Sequence, residues 1–159
     1  MTAVLSADLV RPFLVSARNA AQGLLQTTLK FGELRQCKGA FRTDSGESLV
    51  GVIGISGSLR GKVVLAVPAV VARKLVARML GSDPEEHDVV DGVGELVNVV
   101  AGGAKTMLGE TRPGLALTVP NVVVGSSLLV HTAREAPAML IPCVTPEGEF
   151  VVQVGFRAE

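Results

Sequence analysis

The sequence predicts an α+β fold, a mostly antiparallel sheet with helices packed on it, in the order αβββααββββ. Three observations predict it. Apolar residues recur at helical spacing in three segments, one at the N-terminus and two in succession mid-chain. β-Branched runs bounded by Gly, Pro and Ser fill the stretches between and after them. No internal period of roughly 20–50 residues is present, which argues against a solenoid or propeller. A chain of 159 residues suits a single domain over 1–159 with one core.

The first helix is expected from the stripe Val10, Phe13, Leu14, Ala17, Ala21, Leu24 and Leu25, with Pro12 tolerated in the first turn. Its end is expected near Lys30, with Gly32 as the stop. Residues 34–41 alternate loosely and read as a strand, and Asp44-Ser45-Gly46 supplies a turn. Residues 49–55 and 59–67, separated by Ser56-Gly57-Ser58, read as an antiparallel hairpin. Pro68 opens and Gly81 closes a second helix, with Val70, Val71, Leu75, Met79 and Leu80 as its buried stripe. After an exposed acidic connection at 82–87, a long helix is expected from about Asp88 to Leu108. Strands at 115–120, 122–130, 138–144 and 150–156 complete the fold, the last two joined by Thr145-Pro146-Glu147-Gly148-Glu149.

Composition excludes several function classes. Fifteen Lys and Arg balance fifteen Asp and Glu, so no disordered charged tail is expected. Nucleic acid is not expected as the main partner, because a phosphate backbone selects for excess positive charge. The mean hydropathy is +0.44, yet the longest stretch free of Lys, Arg, Asp and Glu, 113–133, holds Pro113, Pro120, Asn121, Gly125, Ser126, Ser127 and His131. Such interruptions do not suit a bilayer-spanning helix, and no membrane association is expected. The N-terminus lacks a basic region followed by an apolar run, so a cytoplasmic location is expected, with Cys37 and Cys143 reduced. His87 and His131 form no metal-ligand spacing with either cysteine. No phosphate-binding loop or dinucleotide fingerprint occurs.

The long helix is the most informative segment. At about 100° per residue, Val93, Leu96, Val97, Val100, Ala104, Met107 and Leu108 fall in one sector, the expected core face. Asp91, Glu95, Asn98, Gly102 and Lys105 fall opposite, and Glu95 and Asn98, three apart, project side by side. Val99 sits at the edge of that polar stripe as a candidate docking contact. Gly102-Gly103 inside a helix costs up to ~1 kcal/mol per Gly relative to Ala, a cost that is useful where another molecule must come close. Spacing alone leaves room for a plainer reading, a solvated face with incidental glycines.

The stretch Asp91-Gly92-Val93-Gly94-Glu95-Leu96-Val97-Asn98-Val99-Val100-Ala101-Gly102-Gly103-Ala104-Lys105 resembles the signature helix of the CheC/CheX family of chemotaxis phosphatases. Leu117-Thr118-Val119-Pro120-Asn121-Val122-Val123-Val124-Gly125 is similar to the family's strand–Pro–strand segment, and Gly54 through Leu65 to its hairpin. Arg11-Pro12-Phe13 and the helix after it match its opening. The resemblance covers nearly the whole chain. Many relatives carry Asn where Gly103 stands, a departure that leaves the Glu-x-x-Asn pair intact.

The resemblance implies a phosphatase for the aspartyl phosphate of a CheY-like response-regulator receiver domain, with Glu95 and Asn98 as the catalytic pair. One pair per chain is similar to the CheX branch, which implies a homodimer joined through sheet elements. An acyl phosphate is already reactive, and the receiver brings Mg²⁺ and a Lys; no cofactor of this chain's own is implied. What is missing is a water held in line, which a carboxamide can orient by donating and accepting. Asn98 is the candidate for that role, and Glu95 the candidate anchor for the receiver's Lys. Asp91, Val99, Gly102 and Lys105 are candidate docking residues. Two further readings are a non-catalytic receiver-binding module and a dimeric scaffold resembling flagellar switch components.

Overall fold

The computed structural model describes residues 5–37, 40–131 and 137–157. Its elements are α1 (Ala7–Gly23), β1 (Lys30–Phe31), β2 (Arg35–Cys37), β3 (Ala40–Arg42), β4 (Glu47–Ser56), β5 (Arg60–Pro68), α2 (Ala69–Leu80), α3 (Glu86–Leu108), β6 (Ala116–Leu117), β7 (Asn121–Ser126), β8 (Leu129–His131), β9 (Ala138–Thr145) and β10 (Gly148–Arg157). The α+β class and the order of helical and strand blocks are as the sequence predicts.

The main sheet runs β1-β9-β10-β5-β4-β6, with β2 also pairing β9 and β7 also pairing β4. Every pairing is antiparallel. The β4–β5 hairpin forms as expected, Gly51 opposite Leu65 and Ile53 opposite Val63. Side chains alternate across a strand, so the sheet has two faces. Leu49, Ile53, Val63, Leu65, Val152 and Val154 join the core beneath the helices. Val50, Val64 and Ala66 point the other way and pack with Phe41, Leu128 and Val130. Phe41 and Val130 belong to a separate two-stranded ribbon, β3 with β8, and Leu128 lies just before β8; together they cover the second face.

The helical face follows its sequence pattern with local departures. Helix α1 buries Val10, Phe13, Ala17, Ala20 and Ala21, and Phe13 meets Phe156 with ring centroids 5.8 Å apart. It stops at Gly23 rather than near Lys30, because Gln26 takes a positive φ of 51° and Leu25 turns into the core. Arg78 of α2 holds the turn, donating to the carbonyls of Leu25 (2.8 Å) and Gln26. Gly32, expected as the helix stop, instead bonds the Pro142 carbonyl between β1 and β2. In α2 the buried residues are Ala72, Leu75 and Val76, whereas Val70 and Leu80 are exposed. The stripe is rotated because α2 packs against α3 as well as the sheet.

The expected strand at 34–41 divides into β2, which joins β9, and β3, which joins the ribbon; residues 38 and 39 lie outside the described chain. The run at 122–130 divides at Ser127, whose φ is 49°, into β7 and β8. Helix α3 begins at Glu86, two residues early, where the Glu85 N–H donates to the Asp88 carboxylate at 2.9 Å. His87 therefore lies in the first helical turn, exposed between Glu85 and Asp88.

Cys37 and Cys143 are both free. Cys37 lies opposite Ala138 on β9, so it shares the face of Ala138, and Cys143, five residues on, points to the other face. Burial pushes the Cys143 thiol from its ordinary 9.0 up to about 12. The folded protein thus keeps a proton that the unfolded chain releases above pH 9. This contribution is complete below about pH 9 and is lost as pH rises toward 12. Urea melts between pH 9 and 11 are expected to show stability falling by up to about 1.4 kcal/mol per pH unit more in wild type than in Cys143→Ala.

Candidate functional site

Helix α3 is enclosed on three sides. Its core face, with Val93, Leu96, Val97, Val100, Ala104 and Leu108 buried, lies on the sheet, and a Cβ on Gly51 of β4 would come 3.0 Å from Val97. Helix α2 meets it at Gly92, where a Cβ would stand 2.5 Å from Val76. Helix α1 meets it at Gly103, where a Cβ would stand 2.3 Å from the Ser16 hydroxyl. That hydroxyl is buried and donates to the Val100 carbonyl at 2.7 Å. Strand β7 runs along the remaining flank, Val122 lying 3.5 Å from where a Gly94 Cβ would be.

What stays open is one stripe. Asp91, Glu95 and Asn98 are exposed, and Gly102 and Lys105 are half-exposed. Glu95 and Asn98 are one helical turn apart, with Cβ atoms about 5–6 Å from each other. Among the described residues neither side chain has a hydrogen-bond or ion-pair partner. The same holds for Asp91 and Lys105. The stripe is therefore acidic before Asn98, open at Gly102 and basic beyond it.

The structure brings Glu95, Asn98, Asp91, Gly102 and Lys105 together as the sequence predicts, and refines two assignments. Val99 is half-buried and packs against the core cluster, so only part of it is free for docking. Gly103 is not part of the open stripe, because the neighbour that requires its missing side chain is Ser16 of α1. Sequence reasoning missed Ser16; the available signal was a hydroxyl three residues after Phe13 within an otherwise apolar stripe. The apolar run from Val119 to Val130 reads in the sequence as buried strand, yet Val119 is 81% exposed and Val123, Val124 and Leu129 are exposed with it. Val122 sits at Gly94, while Val124 shares a groove with Val89 and Val90. Strand and helix thus run in opposite senses, and Val119-Pro120 lie toward the Asn98 end of the stripe.

A groove of about 450 Å³ opens near the start of α3, lined by Leu49, Val70, Val89, Val90 and Val124 with Glu47, Arg73 and Glu86 at its rim. It does not include Glu95 or Asn98. Among the described residues no group of three His, Cys, Asp or Glu is placed to hold a metal ion. No described helix is long and apolar enough to cross a membrane.

The antiparallel sheet and the helices packed on it have the fold of CheC/CheX-like proteins. The fold matches that of a putative chemotaxis protein from Desulfovibrio vulgaris Hildenborough, with a TM-score of 0.85 and 27% identity over 98% of this chain and all of that one. It also matches the CheX-CheY-BeF3-Mg+2 complex from Borrelia burgdorferi, with a TM-score of 0.79 over 96% of this chain and 99% of that one; at 18% identity this is a likeness of fold. A family model described as chemotaxis phosphatase CheX matches residues 49–144, and the chain belongs to that family. It is 33% identical over 90 residues to the CheY-P phosphatase CheX of Thermotoga maritima, a match covering 54% of this chain and 57% of the relative. The chain thus spans little more than half the length of that curated relative.

The seating of α3 on α1 generates a prediction. Gly103→Ala is expected to lose about 1–3 kcal/mol in urea unfolding, and adding Ser16→Gly to the variant is expected to recover part of that loss.

Proposed function

We propose that this chain accelerates hydrolysis of the aspartyl phosphate of a CheY-like receiver domain. The observation that carries the reading is the Glu95–Asn98 pair, exposed, adjacent and unpartnered on a rigid helix. A side chain with no bond inside its own protein keeps its full capacity for a visiting one. The family, and a curated relative described as a CheY-P phosphatase, support the same substrate class.

The chemistry asked of this chain is small. The carbonyl oxygen of Asn98 accepts from the attacking water and its NH₂ group can donate to it, so the amide fixes the water's position and direction. Water oxygen bonds to phosphorus as the bond to the aspartyl oxygen breaks. The carboxylate leaves with the electron pair, and the water proton passes to phosphate or solvent. Glu95 forms an ion pair with the receiver's Lys and so fixes the approach angle. Asp91, Val99 and Lys105 border the contact. The receiver supplies Mg²⁺, and this chain contributes no cofactor. The whole of 1–159 acts as one unit in this reading.

The working form we infer is a homodimer. Among the described strands β7 pairs only with β4, and it exposes Val123 and Val124 without a charge along its length. The opposite edge is blunted by strands of two and three residues with Lys30, Glu33 and Arg35 along it. An uncharged, unpaired edge strand is the natural place for a second copy to add.

Two measurements test these statements. Receivers from the same cell, charged with a small phosphodonor, are expected to lose phosphate faster with this protein. Asn98→Ala is expected to cut the acceleration at least about a hundredfold with the fold unchanged, and Glu95→Ala to weaken receiver binding. No acceleration by wild type would leave only a binding module, and equal acceleration by Asn98→Ala would remove Asn98 from the catalytic role. Light scattering is expected to give twice the chain mass, and Val123→Lys to give monomer; a wild-type monomer contradicts the dimer.

A further inference from the structure

Helix α3 contains four glycines, at 92, 94, 102 and 103; a side chain at 92 or 103 would clash inside the fold, and one at 94 would meet a neighbour at ordinary contact distance. Gly92 admits Val76, Gly103 admits Ser16, and Gly94 faces Val122, the missing Cβ atoms lying 2.5, 2.3 and 3.5 Å from these neighbours. Around Gly102 nothing lies within 4 Å of the Cβ position. Its φ is not among the positive values, so the backbone does not call for glycine either. A glycine in a helix interior weakens the helix relative to alanine, and nothing in the described chain uses what that weakening makes available.

We propose that Gly102 is a clearance position for the phosphorylated receiver and sets how deeply the helix enters the receiver's site. This deepens the phosphatase reading and rests on it. Gly102 stands four residues beyond Asn98, a rise of about 6 Å on the same face. A partner that brings its phosphoryl group to the Asn98 amide therefore passes over Gly102, and an alanine methyl takes volume that the partner's loop fills.

Charge selects the receiver over a second copy of this chain as the occupant. Asp91 and Glu95 lead into Asn98, and they suit a partner whose centre carries a Lys and a bound divalent cation. The second copy inferred above adds at the uncharged β7 edge rather than at this stripe.

The test uses the full chain with Gly102→Ala and Gly102→Leu, and as probe the receiver turned over fastest by wild type. Circular dichroism should show Gly102→Ala melting about 2–4 °C higher than wild type. The KM of Gly102→Ala should rise about fivefold or more with kcat little changed, because Asn98 still orients the water once docking is complete. Gly102→Leu should not saturate, and neither variant should change mass in light scattering. Unchanged KM in both variants, beside an active wild type, overturns the clearance role and leaves the phosphatase reading standing. A lowered melting point reveals an intramolecular neighbour, and a changed mass assigns Gly102 to contact between copies; either overturns the proposal. Wild type inert toward every receiver removes the reading on which it rests.

Discussion

Everything the site offers depends on how α3 is seated. The helix lies on the sheet through Val93 and Val97 and is pinned by α2 at Gly92 and by α1 at Gly103. The buried hydroxyl of Ser16 reaches the Val100 carbonyl, so the α1–α3 contact carries a hydrogen bond as well as apolar packing. Such contacts allow little rotation: turning the helix by one residue drives Val76 or Ser16 into a side chain. The register that buries Val97 is thus the register that exposes Glu95 and Asn98. Packing, rather than any bond made by the pair, fixes where the carboxylate and amide point.

This arrangement suits a reaction in which the partner brings the reactive bond. A carboxamide positions water through its carbonyl oxygen and NH₂ group, with no proton to gain or lose. Neither the Glu95 carboxylate nor the Asn98 amide has to be held in a hydrogen-bond network, which would compete with the visiting protein. The requirement is stiffness, and a helix of 23 residues supported along its length supplies it. The nearby apolar groove at Val70, Val89 and Val124 is separate from this stripe and takes no part in the account.

Much of this was legible in the sequence because one helix dominates it. The 3.6-residue period assigned both faces of α3, and the Glu95–Asn98 spacing placed the pair on the open one. The β4–β5 hairpin was legible from its Gly-Ser turn. Legibility failed where tertiary contacts overrode local pattern. The end of α1 was misplaced because the apolar run through Leu24 and Leu25 continues into the core after the helix stops. The stripe of α2 was misplaced because Val70 is apolar yet exposed. Gly102 and Gly103 are neighbours of one residue type, and only the position of Ser16 separates an internal contact from an open surface. Strand order was not legible, since a sheet in which β10 lies between β5 and β9 is set by long-range pairing.

The central claim is that the Glu95–Asn98 stripe is the surface that meets an activated receiver. The direct measurement is an NMR titration of the isotope-labelled protein with a receiver domain held in its active form by beryllofluoride and Mg²⁺. The account predicts that the Asn98 side-chain amide and the backbone amides of α3 from Asp91 to Lys105 shift most, with the β3–β8 ribbon unaffected. Shifts concentrated on the ribbon or the β1–β2 edge, with the Asn98 side chain unmoved, would contradict it.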